Sequence, residues 1–112
     1  MSRLLTPLSP VTVLASAAVG GYEEARGPYG GALDLTSQDD LFGAATFELA
    51  EAEMARRALS LALGRCGREE RTLGLLLAGD LQNQCVASSQ GPAAGGTPFL
   101  GHFGACSTMV EG

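Results

Sequence analysis

The stretch Pro98-Phe-Leu-Gly-His-Phe-Gly-Ala-Cys-Ser-Thr-Met109 predicts a strand, a tight turn and the start of a helix. The apolar run over 98–103 is typical of a buried strand. Gly104 and Ala105 are small enough for a sharp turn, so Cys106 falls where the helix begins. Backbone N–H groups and the positive end of the helix dipole would then point at the sulfur and favour an anion there. The stretch therefore predicts one wall of a site beyond the carboxyl end of a strand.

The composition bounds the chain to at most one small folded unit. It has 112 residues, of which 46% are hydrophobic, and this is enough for a core. The formal net charge is −5 and no basic stripe is present, which argues against nucleic acid and against a polybasic membrane patch. No apolar run reaches the length of a membrane-spanning helix.

The cysteines favour a reducing compartment. Cys66, Cys85 and Cys106 are odd in number and far apart, a pattern that argues against a disulfide framework or a zinc site. We therefore expect reduced thiols and a cytosol-like environment. The segment 15–17, Ala-Ser-Ala, imitates a signal-peptide cleavage site, but two prolines interrupt the apolar stretch before it. Secretion is therefore the weaker interpretation.

Periodicity and breaker residues predict strands that alternate with helices. The clearest helix follows Thr46, a suitable N-cap, and carries Phe47 and Met54 on an apolar stripe that we expect to form core. The opposite, solvated face carries Glu48, Glu51, Glu53, Arg56 and Arg57, and Glu53 can pair with Arg57 one turn later. The predicted elements are strands over 10–17, 73–78 and 98–103, helices over 47–63 and 81–89, a loop over 20–31 and an irregular segment over 33–43.

This alternation implies βαβ units and a mostly parallel sheet with helices packed on it, an α/β fold. Ligands of such sheets gather beyond the carboxyl ends of the strands. The segment Asp80-Leu-Gln-Asn-Gln84 and Cys106 both follow predicted strands. We therefore expect Asp80, Asn83, Gln84 and Cys106 to converge at one edge of the sheet.

Each of these residues has two interpretations. Cys106 is either a nucleophile that needs a base, for which His102 is the single histidine, or a small residue that packs the turn. His102 itself is more often a hydrogen-bonded, half-buried strand residue. Asp80 binds a ligand or caps the next helix, and Asn83 and Gln84 bind a ligand or neighbouring backbone. Asp34, Asp39 and Asp40, in the irregular segment over 33–43, lack the spacing of a calcium-binding loop, so a solvated loop is expected there.

The chain resembles the stage V sporulation protein AD family. The resemblance extends from the first predicted strand to the last residue, and its most specific parts are the segments 78–84 and 104–109. The matching motifs are Gly27-Pro-Tyr-Gly30, Asp39-Asp-Leu-Phe-Gly43, Glu48-Leu-Ala-Glu51, Ala78-Gly-Asp-Leu-Gln-Asn-Gln84, Pro98-Phe-Leu-Gly101 and Gly104-Ala-Cys-Ser-Thr-Met109.

The resemblance implies a thiolase-like fold, in which two duplicated halves form α/β/α/β/α layers and two copies usually dimerise. It implies that residues 1–112 are the N-terminal portion of such a domain, about the first third, which ends just after the start of the nucleophile-type helix. Cys106 matches the nucleophile position of the condensing enzymes that share this fold. Their other catalytic residues come from the second half, so we do not expect activity from this chain alone.

The resemblance also implies a role in the SpoVA machinery, which moves dipicolinic acid, with calcium, into the developing spore. We expect a soluble protein of the cytoplasmic type that lies peripheral to the forespore or spore inner membrane. It is expected to contact other SpoVA subunits and to need neither a cofactor nor a bound metal of its own. Its expected ligand contacts here are Cys106, Ser107, Asp80, Asn83 and Gln84. A Cys-dependent acyltransferase and a purely structural subunit remain the alternatives.

Overall fold

The computed structural model describes residues 7–82, 85–91 and 95–112. Short strands and helices alternate along these ranges. Helical turns of the 3₁₀ type lie at Gly30–Ala32, Glu70–Thr72 and Ala105–Ser107. The strands and α-helices are β1 (Val19–Gly20), α1 (Tyr22–Arg26), β2 (Leu35–Thr36), α2 (Phe47–Cys66), β3 (Leu76–Ala78), α3 (Val86–Gln90), β4 (Phe99–Gly101) and α4 (Thr108–Glu111).

The strands pair in parallel, which confirms the α/β class. β1 pairs with β2, and Val19 lies opposite Leu35. β3 pairs with β4, and Ala78 lies opposite Gly101. Each partner is reached through a crossover that contains a helix or a helical turn, as parallel pairing requires. The carboxyl ends of β3 and β4 therefore meet at the same edge.

The first strand was predicted in the wrong place. Residues 10–17 form no ladder, and Val11 and Val13 are exposed, because pairing starts only where β2 supplies a partner. The N–H of Ala18 instead donates to the Asp34 carboxylate over 2.7 Å. A β-branched pattern identifies a segment suited to a strand, but it does not supply the neighbouring strand.

Further boundaries also differ from the sequence prediction. The segment 33–43, expected to be irregular, contains β2, and the last strand, expected to be buried over 98–103, is only β4 and is partly exposed. The expected loop over 20–31 contains α1, since Tyr-Glu-Glu-Ala-Arg is a run of adequate helix formers between glycines. β3 is shorter than the predicted strand over 73–78, because only its last three residues lie opposite β4. The helix predicted over 81–89 is seen only over α3, for a reason that lies in the contacts of Asp80 described below.

Helix α2 confirms the predicted N-cap. The Thr46 hydroxyl accepts the N–H of Leu49, a bond that satisfies one of the free donors at a helix start. The helix continues through Gly64 and ends at Gly67, which adopts φ +64°. The N–H of the next residue, Arg68, bonds back to the Leu63 carbonyl at 3.0 Å. Glycine adopts the left-handed backbone conformation without the steric cost that a side chain would bring. Gly67, and not Gly64, therefore ends the helix.

Ion pairs fasten the surface of α2. The predicted pair between Glu53 and Arg57 is present at 2.6 Å, and Arg56 joins it. Hydrogen bonds from Arg56 and then Arg57 lower the pKa of Glu53 to about 2. Because both arginines are half exposed, solvent screens these pairs and they contribute little to stability. At the other end of the helix, Arg65 forms a bidentate pair with Asp34 and ties α2 to the strand pair β1–β2.

Small residues form the contact between α2 and α3. Ala50 and Ala52 of α2 and Ala87 of α3 are the buried hydrophobic side chains of the described part of the chain. Gly91, just after α3, lies so close to the backbone of Ala52 that an added Cβ would overlap the Ala52 carbonyl. Phe47, which was expected in the core, is 62% exposed. The apolar stripe of α2 is therefore only partly covered.

The contact between α3 and α2 predicts different outcomes for two glycine substitutions. Gly91→Ala should lower the free energy of unfolding by about 1–3 kcal/mol, since the new methyl group meets backbone. Gly64→Ala, in open space within α2, should raise it by about 0.5–1 kcal/mol. Urea unfolding followed by circular dichroism measures both, and equal effects would contradict this packing.

Candidate functional site

The polar residues that follow β3 and β4 meet at the carboxyl edge of this strand pair. The N–H of His102, directly after β4, donates to the carbonyl of Ala78, the last residue of β3, at 2.8 Å. The next residue after β3 is Gly79, and the chain then continues into Asp80. This last rung of the ladder brings the two loops together, as the sequence predicted for the edge.

Gly79 permits this close approach. An ideal Cβ at Gly79 would overlap the His102 carbonyl oxygen and would lie 2.7 Å from Thr108 Cγ2 of α4. No side chain fits between these groups. The glycine thus lets the exit of β3, the exit of β4 and the start of α4 share one small volume.

Asp80 is buried at 6% exposure, and its carboxylate is engaged by the protein. One oxygen accepts the Cys85 N–H at 3.3 Å, and the other accepts the N–H and the hydroxyl of Ser88, both at 2.9 Å. Ser88 is the third residue of α3. Asp80, which lies six residues before α3 begins, therefore caps the first turn of this helix. Leu81 and Gln82 are not helical and Cys85 directly precedes α3, so α3 starts later than predicted.

Cys85 joins the two loops. It adopts φ +72°, an uncommon backbone region for a residue with a side chain. Its Sγ donates to the His102 carbonyl oxygen at 3.2 Å, and Gly101 packs directly against the same sulfur. Apart from its place directly after the segment 78–84, no pattern in the sequence pointed to this cysteine.

Cys106 lies in the helical turn Ala105–Ser107, directly before α4, and is exposed to solvent. It is therefore not a buried packing residue of the turn. The preceding residue, Ala105, has φ +49°. Ser107 donates from its hydroxyl to the Gly104 carbonyl at 2.8 Å and also lies within hydrogen-bond distance of the Glu111 carboxylate.

His102 is mostly buried, with 16% of its side chain exposed. Its Nδ1 lies 3.7 Å from a Glu111 carboxylate oxygen, and its Nε2 is buried without a hydrogen-bond partner. Thr108 Oγ1, on the facing helix, is buried and unpartnered as well. Within the described part of the chain, no hydrogen bond joins His102 to Cys106.

The two predicted ligand contacts Asn83 and Gln84 lie outside the described residues. The structure thus brings Asp80, His102 and the turn of Cys106 and Ser107 to one edge. Asp80 serves the protein itself there, whereas the Cys106 side chain faces solvent.

Glu51 is a residue of this region that the sequence analysis placed on the solvated face of α2. Its Oε1 accepts the Leu81 N–H at 3.4 Å, and its Oε2 is buried without a partner. Burial raises the pKa of Glu51, and the nearby charge of Asp80 adds to this rise. No local sequence pattern indicated this, because the Glu51 contact is with Leu81, 30 residues further along the chain.

The described arginines lie elsewhere. Arg56 and Arg57 pair with Glu53, Arg65 pairs with Asp34, and Arg71 pairs with Glu69. The charged side chains at the edge of β3 and β4 that the structure describes are carboxylates. This part of the site offers backbone N–H groups, a hydroxyl and a thiol to a ligand, and none of the described arginines pairs with a residue of this edge.

These observations define a class of protein: an α/β chain with parallel strands whose site is built at the carboxyl edge, with a cysteine on the turn before a helix. The family model of stage V sporulation protein AD matches residues 3–112, and the chain belongs to this family of sporulation proteins. Among curated proteins, stage V sporulation protein AD of Bacillus subtilis (strain 168) is 34% identical over 102 residues. The match covers 91% of this chain and 30% of that relative, so the chain spans about 30% of its length.

No helix within the described ranges is both long enough and apolar enough to cross a membrane.

The close approach at Gly79 predicts a site-specific packing defect. Gly79→Ala should lower the free energy of unfolding by at least about 1–3 kcal/mol, because the methyl group meets a backbone oxygen. Gly74→Ala, two residues before β3 and in open space, should change it by less than about 0.5 kcal/mol. Thermal unfolding of both variants checks this, and a tolerated Gly79→Ala would show that the two strand exits do not touch.

The environment of Glu51 predicts a pH-dependent effect on stability. Because its folded-state pKa is raised, the folded state disfavours the charged form, and this cost grows as the pH rises above the ordinary value of 4.5. Glu51→Gln should therefore stabilise the chain at neutral pH and lose this advantage as the pH falls below about 4.5.

Urea unfolding at pH 7 and at pH 4 measures the difference. Glu23→Gln, on exposed α1, is the matched control and should show no such gain at neutral pH. A stability gain of Glu51→Gln that is the same at both pH values would contradict a buried carboxylate at this position.

Proposed function

We propose that this chain is part of a ligand-binding protein of sporulation, which binds dipicolinic acid and supports its uptake into the developing spore. Membership of the stage V sporulation protein AD family supports the sporulation role. The observation that carries the binding role is the convergence of the loops after β3 and β4 at one edge, with the exposed turn of Cys106 and Ser107 beside it.

In this proposal, residues 1–112 are the N-terminal portion of a thiolase-like domain. Parallel pairing of β3 with β4 and the cysteine-bearing turn directly before α4 are in keeping with such a fold. So is the coverage of 30% of the relative's length. The full-length protein is proposed to dimerise, to contact other SpoVA subunits and to lie peripheral to the forespore or spore inner membrane.

Cys106 and Ser107 are the proposed ligand contacts of the described part, and Asn83 and Gln84 are proposed to complete them. Asp80 supports the site indirectly: its carboxylate already accepts the N–H groups of Cys85 and Ser88 and is not a proposed ligand contact. Dipicolinate is a dianion at neutral pH and needs cationic or N–H donors for its carboxylates. Since the described arginines pair elsewhere, the carboxylate clamps are proposed to come from the remainder of the full-length protein, or the ligand binds as its calcium chelate.

An acyltransferase with Cys106 as nucleophile is the alternative function. The exposed thiol on a turn whose preceding residue, Ala105, has a positive φ favours it, since backbone strain often occurs at reactive positions. In that reaction the Cys106 thiol would lose its proton and its sulfur would bond to the acyl carbon of a thioester. The bond from that carbon to the carrier sulfur would break, and the proton lost by Cys106 would pass to the carrier, which leaves as a thiol.

Calorimetry of the full-length protein tests the binding role. We expect heat with dipicolinate and none with benzene-1,3-dicarboxylate, which lacks the ring nitrogen, and we expect Cys106→Ala to weaken dipicolinate binding. The titration is repeated with calcium to identify the bound form.

Two outcomes would contradict the proposal. Absence of heat and of a thermal shift with either form of dipicolinate would leave a structural subunit as the better reading. A thioester on Cys106 after incubation with an acyl-CoA, seen by intact mass and absent from Cys106→Ala, would establish the acyltransferase instead.

A further inference from the structure

We propose that Cys85 is a positioning residue that couples the Asp80 loop to the turn of Cys106 through a relay of hydrogen bonds. The relay runs from the Asp80 carboxylate to the Cys85 N–H, and from the Cys85 thiol to the His102 carbonyl. It is a conformational device within the fold, and its test needs no ligand.

The first half of the relay fixes the backbone of Cys85. Asp80 is buried and holds α3 at Ser88 with its other oxygen, so its position is set by the helix. The bond from the Cys85 N–H to Asp80 keeps Cys85 at φ +72°, a conformation that costs free energy and persists only where the surroundings impose it.

The second half fixes the exit of β4. The Cys85 Sγ donates to the His102 carbonyl, while the N–H of the same residue donates to Ala78 of β3. The His102 carbonyl is therefore bonded to Cys85, and the His102 N–H is bonded to Ala78. The chain from His102 leads directly to the turn of Cys106, and Gly79 leaves no space for His102 to shift toward β3.

The thiol suits this task, because its donor reaches a carbonyl that Gly101 leaves accessible. A change at the Cys106 turn that moves His102 must stretch the Cys85 bond, and through Asp80 it acts on α3. The same coupling operates in reverse, so a change at α3 alters the geometry of the Cys106 turn.

Amide NMR of the isotope-labelled full-length protein tests the relay with a double-variant cycle. We expect Asp80→Asn and Cys85→Ala each to accelerate hydrogen exchange of the His102 amide about threefold or more and to move the Cys106 amide signal in the same direction. The double variant should add little to either single variant, since both break one path. Cys85→Ser, which keeps a donor, should stay close to the wild type.

Amide exchange of Ala58, within α2, is the control for general destabilisation. Acceleration at Ala58 equal to that at His102 would overturn the proposal, as would additive effects in the double variant. So would a Cys85→Ser variant that behaves like Cys85→Ala. If Asp80→Asn prevents folding, Cys85→Ala and Cys85→Ser decide the test through the His102 and Ala58 amides, since they differ in the donor to the His102 carbonyl.

Discussion

The contact between the exits of two parallel strands is the constraint on which the site depends. At Gly79 the backbone of the β3 exit lies against the His102 carbonyl, at the exit of β4, and against Thr108 of α4. Only a residue without a side chain allows this distance. Every loop that follows from these exits is therefore held near the others, and the site exists because the strands end side by side.

None of the described arginines pairs with a residue at the carboxyl edge of β3 and β4. Glu53 and Asp34 hold arginines on the flanks of α2, where the pairs are solvated and contribute little individually. At the edge itself, the carboxylates of Asp80 and Glu51 accept backbone N–H groups from the loop between β3 and α3. These carboxylates shape the loop, and the proposed dianionic ligand would need counter-charges from outside the described residues.

The sequence was sufficient for the type and order of the main elements and for the edge at which the polar residues meet. Thr46 shows why: a helix N-cap depends on local chemistry that a pattern displays, whereas the end of α2 lies at Gly67, beyond the predicted residue 63. Pairing and burial depend on distant neighbours, so the first strand was misplaced and Glu51 was assigned to solvent. The relay through Cys85 was missed for the same reason, because its partners Asp80 and His102 come together only in the fold.

The most direct test of this account is the scalar coupling across the hydrogen bond from the His102 amide nitrogen to the Ala78 carbonyl carbon, measured by NMR on isotope-labelled chain. The account predicts a measurable coupling here and from Leu76 to Pro98, the two ends of the parallel ladder. Couplings that instead join these amides to other carbonyls would mean that the strands do not end together, and the site would lose its basis.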